Sequence, residues 1–172
     1  MQVYLDNSAT TRPYDRVIDL MTKCMETGYG NPSSLHRMGM EGEKTVSDAR
    51  KQVAGRLTCR EEEIIFTSGG TESNNMAIMG AAMAGMRRGK RIITSKGEHP
   101  SVLETFRYLE SRGFEAVYID IDRNGTVNLD QLREAVNDET ILISVVHVNN
   151  ETGTIQPVED IAKEKGRAVF HT

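Results

Sequence analysis

Two hydrophobic periods alternate along this chain. Short, continuous apolar runs are separated by longer stretches in which apolar residues recur at spacings of three and four. The first pattern predicts buried strands and the second predicts helices with one buried face. Val3-Tyr4-Leu5 reads as a short extended segment that ends in the polar turn Asp6-Asn7-Ser8-Ala9-Thr10-Thr11. Pro13 suits the first turn of a helix, on which Val17, Leu20, Met21 and Cys24 form a core-facing stripe. Gly28 to Ser34 has loop chemistry, and a second helix is expected from His36 to Leu57 with Val46, Ala49 and Val53 on its buried side.

From there strands and helices alternate. Ile64-Ile65-Phe66 predicts a buried strand, followed by the turn Thr67-Ser68-Gly69-Gly70 and a helix whose stripe of Met76, Met79, Met83 and Met86 is read as core packing. Arg91 to Ser95 is the next strand, and Pro100 opens a helix carrying Val102, Phe106 and Leu109. Ala116 to Ile119 is a third strand, closed by Asn124-Gly125. Asn128 caps a short helix through Val136, with Gln131 in capping-box position. Ile141 to Val148 reads as a strand buried on both faces, Pro157 opens one more helix, and Ala168-Val169-Phe170 begins a last strand. The pattern predicts an α/β fold: three layers, a mainly parallel sheet with helices on both faces. Residues 1–60 form a helical segment with a loop, and residues 61–172 the α/β domain.

Composition narrows the function classes. A net charge of −4 with 27% charged residues favours neither nucleic acid nor an anionic membrane as a partner. No apolar run is long enough to span a bilayer, and Met1-Gln2-Val3-Tyr4-Leu5-Asp6 lacks a basic, apolar leader, so a cytoplasmic location is expected. Cys24 and Cys59 form no C-x-x-C pair, and His36, His99, His147 and His171 sit in no zinc spacing, so no metal is expected. His147 reads as structural, within its strand run.

Candidate chemistry lies at the strand exits. A helix start leaves backbone N–H groups unpaired at the positive end of its dipole, and glycines let a ligand approach them. The Gly69-Gly70-Thr71 turn therefore suits a phosphate, although it matches neither G-x-G-x-x-G nor a Walker A loop. An ordinary strand-to-helix turn fits the same residues. The exits at Gly69–Ser73, Glu98–Ser101 and Asn149–Gly153 can converge on one crevice beyond the carboxyl ends of the strands, which favours a ligand.

Five segments together are highly specific: Tyr4 to Thr11, Gly30 to His36, Phe66 to Asn75, Glu98 to Leu103, and His147 to Gln156. In content and order they resemble the class I (NifS/IscS-like) cysteine desulfurases, fold-type-I enzymes dependent on pyridoxal 5'-phosphate. The resemblance implies that Gly70 and Thr71 hold the cofactor phosphate, that His99 stacks on its ring and shuttles protons, and that Asn150 bonds its ring hydroxyl and the substrate carboxylate. Asn31 and His36 would lie on the substrate side. The family substrate is L-cysteine, converted to L-alanine while sulfur passes to a protein cysteine as persulfide, for iron–sulfur cluster or thiolation pathways. A homodimer and a sulfur-acceptor protein are the implied partners.

The match covers the family's N-terminal half only. By resemblance, the ring-pairing Asp, the Schiff-base Lys, the substrate-binding Arg and the catalytic Cys belong to segments after residue 172. As a truncated domain the chain is expected to bind the cofactor weakly and non-covalently, to be inactive alone, and to self-associate through uncovered apolar surface. The alternative is a non-catalytic fragment that acts only by binding a dimer mate or a complementary C-terminal half. A generic phosphate or nucleotide binder is a third, weaker reading.

Overall fold

A computed structural model describes residues 3–172; Met1 and Gln2, the start of the segment read as leaderless, lie outside them. The chain forms two compact units, Met1–Phe66 and Thr67–Thr172, so residues 61–66 join the first unit and not the second as the sequence pattern suggested.

The first unit is helical, with α1 (Asp15–Thr27), α2 (Arg37–Leu57) and a 3-10 turn at Glu61–Glu63. The loop before α2 lies directly on that helix because glycines remove the side chains between them. A Cβ on Gly39 would sit 2.1 Å from the Ser34 carbonyl oxygen, and one on Gly30 would sit 2.2 Å from that of Met38. Three expectations fail here. No residue of α1 is buried: Val17, Leu20 and Met21 are exposed and Cys24 is only half-buried. On α2 the buried positions are Gly39, Gly42 and Ala54, while Ala49 and Val53 are exposed and Val46 is intermediate. Ile64-Ile65-Phe66 is not a strand, and Ile65 and Phe66 are 66% and 50% exposed. An isolated apolar run needs a neighbouring strand to become one; here Arg50 takes the neighbour's place. Its Nε donates to the Ile64 carbonyl oxygen (3.3 Å) and its guanidinium lies 5.2 Å from the Phe66 ring centroid. Val3 to Leu5 is irregular and exposed.

The second unit is the expected α/β domain. Strands β1 (Arg91–Ser95), β2 (Glu115–Ile119), β3 (Thr140–Ser144) and β4 (Val169–His171) make one parallel sheet in the order β2-β1-β3-β4. Alternate side chains of β1 enter two separate cores, as a strand's twofold period requires. Ile92 packs with Ile78 and Ala82 of α3 (Gly70–Gly85) and Val102, Phe106 and Leu109 of α4 (Pro100–Ser111). Ile93 packs with Leu132 of α5 (Leu129–Ala135) and Ile161 of α6 (Val158–Glu164). Helices therefore cover both faces. The register of β1 against β3 slips at Arg91/Ile92, which makes Ile141 an extra residue. Ile141 and Leu142 consequently share one core, with Ile141 against Gly85.

Several local expectations change. Met76, Met83 and Met86 are exposed and only Met79 packs against the core, because α3 turns Ile78 and Ala82 to the sheet instead. Strand β3 ends at Ser144, and the chain then leaves the sheet, so His147 is exposed in the exit loop and not inside a strand. Asn128 does cap α5, accepting from Asp130 N and Gln131 N, but Gln131 Oε1 accepts from Asp120 N (2.7 Å) instead of closing the box. No helix among the described residues is long and apolar enough to cross a membrane.

Two glycines should respond oppositely to alanine. A Cβ on Gly89 would lie 2.1 Å from the Glu139 carbonyl oxygen, whereas one on Gly80, inside α3, meets no atom of its unit within 4 Å. Urea unfolding should show Gly89→Ala losing about 1–3 kcal/mol and Gly80→Ala gaining about 0.5–1 kcal/mol.

Candidate functional site

The site is built where α3 and α4 begin and where β1 and β3 end. At the start of α3 the first paired helical amide is Ser73 N, donating to the Gly69 carbonyl oxygen (3.1 Å). The N–H groups of Gly70, Thr71 and Glu72 precede it and find no helical partner. The Glu72 carboxylate bonds to Ser68 instead: its Oε2 accepts from both Ser68 N and Ser68 Oγ (2.6 Å each). These bonds, the hydroxyl's first, hold the Glu72 carboxyl below the usual range and favour its ionised form.

Neither glycine of the turn is demanded by the fold. Gly69 is extended (φ 167°), Gly70 is helical, and a Cβ on either would meet no atom of its unit within 4 Å. What they provide is open access to three backbone donors.

His99 stands at the start of α4, as its N-cap, with Pro100 at the first helical position. Its Nδ1 lies 3.1 Å from Ser101 N and 2.8 Å from Ser101 Oγ. A backbone amide can only donate, so Nδ1 accepts and the neutral ring carries its proton on Nε2. The two helix starts are joined side to side. Asn74 Nδ2 donates to Ser101 Oγ (2.8 Å), and Thr105 Oγ1 donates to Asn75 Oδ1 (2.9 Å). As a result Thr71 and His99 line one cleft of about 520 Å3, together with Asn75 and Ser101. Clefts of this size suit a small molecule.

Behind His99 lies a polar layer that the sequence reading left unassigned. Glu98 is buried, and its Oε1 accepts from Val146 N (2.7 Å) and Ser95 Oγ (3.1 Å). Burial pushes its pKa up, against the pull of those two bonds. Next to it a cavity of about 80 Å3 is lined by Asn74, Glu98, His99, Ser144 and His171 among others. His171 Nδ1 lies 2.9 Å from Ser144 Oγ, and burial lowers its pKa.

The exit loop of β3 is shaped by Asn149, whose Oδ1 accepts from Glu151 N and Thr152 N while its Nδ2 donates to the Gly97 carbonyl oxygen (3.1 Å). Asn150 is exposed at the tip of that loop and lines neither cavity.

Of the residues singled out in the sequence, Gly70, Thr71 and His99 are thus brought together, and Asn150 sits on a loop bonded to the His99 loop. Asn31 and His36 belong to the first unit, where both do local work. Asn31 Oδ1 accepts from Ser33 N (2.9 Å), and His36 Nδ1 caps α2 by accepting from Gly39 N (3.3 Å). Glu98, Ser101, Asn74 and Asn149 are the site residues that sequence reasoning missed. Glu98 and Ser101 flanked the His99-Pro100 signal, but nothing in the sequence marks their distant partners. Among the described residues no cluster of three His, Cys, Asp or Glu side chains could hold a metal ion.

A family model for aminotransferase class V matches residues 3–172, and the chain belongs to that family. Within it the chain is 47% identical over 173 residues to the putative cysteine desulfurase IscS 1 of Bacillus subtilis (strain 168), covering 99% of this chain and 46% of that protein. It is also 47% identical over 172 residues to the cysteine desulfurase IscS of Methanosarcina thermophila, covering 99% of this chain and 43% of that one. A solved NifS-like protein superposes with a TM-score of 0.95 at 42% identity, over 99% of this chain and 48% of the other. A solved SspA in complex with cysteine gives a TM-score of 0.88 at 36% identity, over 96% and 48%. The chain spans about half the length of the curated relatives it matches. The resemblance read from the five segments and the parallel three-layer fold both hold.

Burial of Glu98 makes a pH prediction. Its folded pKa lies above the ordinary 4.5, so raising the pH through the window between the two values destabilises the parent protein. Glu98→Gln lacks that ionisation, while carboxyls with lowered pKa, such as Glu72, act equally in both proteins. The melting temperature of Glu98→Gln relative to the parent should rise as the pH is raised above the ordinary value of 4.5, which differential scanning calorimetry reads directly. A flat difference would mean that the carboxyl ionises without penalty.

Proposed function

We propose that this chain supplies the phosphate- and ring-binding side of a pyridoxal 5'-phosphate-dependent cysteine desulfurase. The observation that carries the reading is the Gly69-Gly70 turn, which the fold does not require, opening three unpaired amides beside the cleft shared by Thr71 and His99. An anion there would accept from the Gly70 and Thr71 N–H groups at the positive end of α3. When bound, the cofactor supplies the electron sink that lets the carbon–sulfur bond of L-cysteine break. His99 contributes an Nε2–H whose direction is fixed by the Ser101 bonds on the opposite nitrogen, and it is the group that would orient the ring and exchange a proton. Asn150 would donate to and accept from the ring hydroxyl and the substrate carboxylate. Asn31 and His36 are assigned to the substrate side.

In the whole protein the net change is L-cysteine plus a protein thiol giving L-alanine plus a protein persulfide. The sulfur atom changes owner and the thiol proton ends on alanine. The persulfide would serve an acceptor protein in iron–sulfur cluster or thiolation chemistry, in the cytoplasm, with the chain working in a homodimer or beside a complementary half. A second reading, in which the chain acts only by binding such a partner, draws on α1, none of whose residues is buried.

Pyridoxine 5'-phosphate is the clean probe, because it has no aldehyde to condense with surface lysines. Calorimetric titration should show it binding at least about tenfold tighter than pyridoxine. Gly70→Ala should remove most of that advantage without lowering the melting temperature, since alanine suits a helix better than glycine. Equal affinity for the two ligands would overturn the reading.

A further inference from the structure

The β1 and β3 exits are held together by two side chains reaching in opposite directions. Glu98, on the β1 side, reaches across to Val146 N (2.7 Å) just past β3. Asn149, on the β3 side, reaches back to the Gly97 carbonyl oxygen (3.1 Å). Each end is braced locally. Ser95 Oγ accepts from Gly97 N (3.2 Å) and donates to Glu98 Oε1 (3.1 Å). Asn149 Oδ1 accepts from Glu151 N (3.0 Å) and Thr152 N (2.9 Å), curling the loop around Asn150.

His99 follows Glu98 directly, and Asn150 follows Asn149 directly. We propose that Glu98 and Asn149 are paired positioning residues, a two-bolt clamp that fixes the spacing between the His99 loop and the Asn150 loop. The clamp acts through His99 and Asn150 and touches no ligand itself, and its bearing on cofactor affinity rests on the function proposed above.

The chemistry explains why these two residue types stand there. A buried carboxylate is costly unless it is hydrogen-bonded, and Oε1 takes both bonds on offer from opposite sides of the gap. A surface glutamate would do neither. An asparagine is the smallest side chain that can accept from its own loop with one atom and donate across the gap with the other. Neither bond is part of the sheet ladder, so losing one leaves the strand register intact and changes the spacing of the exits alone.

The test uses the whole chain with four variants: Glu98→Gln, Glu98→Ala, Asn149→Asp and Asn149→Ala. Glutamine keeps an acceptor for Val146 N and Ser95 Oγ, and aspartate keeps the acceptors that shape the loop while removing the donor to Gly97. Amide hydrogen exchange at Val146, the NMR signals of the His99 ring and the Asn150 side-chain amide, and pyridoxine 5'-phosphate affinity are measured for each. The clamp predicts faster Val146 exchange, displaced His99 and Asn150 signals and at least fivefold weaker binding in Glu98→Ala, with all three restored within about twofold in Glu98→Gln. Asn149→Asp should displace the His99 signals although the mutation lies in the other loop. Unmoved His99 signals in both Glu98→Ala and Asn149→Asp would overturn the proposal, as would a Glu98→Gln no better than Glu98→Ala. Should Glu98→Ala fail to fold, Asn149→Asp and Asn149→Ala decide alone. Should the parent bind no pyridoxine 5'-phosphate, the proposed function fails, and the ligand-free His99 and Asn150 signals still decide the clamp.

Discussion

One carboxylate oxygen ties together the ends of the two central strands. Glu98 Oε1 lies between Ser95 Oγ at the end of β1 and Val146 N just beyond β3, buried where an uncompensated charge would be costly. In an open parallel sheet the strand ends are where the backbone runs out of ladder partners and where the loops must separate to admit a ligand. Something other than the ladder has to set the width of that opening. Here Glu98 does so from one side, where the polar cavity and His99 adjoin it, and Asn149 does so from the other, where it shapes the β3 exit loop.

The donors facing the opening are arranged by the same economy of parts. Ser101 fixes the tautomer of His99 through its amide at Nδ1, and its hydroxyl receives Asn74 from α3, so one residue orients the histidine and joins two helix starts. Glu72 bonds back to Ser68, which occupies one carboxylate oxygen with donors other than the free amides of Gly70 and Thr71. The glycines then leave those amides uncovered. Membership of the aminotransferase class V family gives this arrangement its chemical context.

Much of the α/β unit was legible from the sequence because its signals are local. Pro100 at a helix start, Asn128 as a cap and the strand runs at Arg91 to Ser95 and Ala116 to Ile119 each depend on a few adjacent residues. The Gly69-Gly70-Thr71 turn was legible for the same reason. What local pattern cannot supply is the partner across space. Ile64 to Phe66 has strand composition but no neighbouring strand, and Arg50 occupies its carbonyl and ring instead. The Met stripe of α3 has helical spacing, yet the sheet meets Ile78 and Ala82 on another face. Glu98 and Asn149 escaped notice because their partners lie 48 and 52 residues away in sequence.

The central claim is that the free amides at the start of α3 receive a phosphate ester. Amide NMR of the chain, titrated in parallel with pyridoxine 5'-phosphate and with pyridoxine, measures this directly. Saturable downfield shifts are expected at Gly70, Thr71 and Glu72 with the phosphate ester alone, accompanied by shifts of the His99 ring. Shifts of equal size with both ligands, or shifts confined to residues outside α3 and the His99 loop, would contradict it.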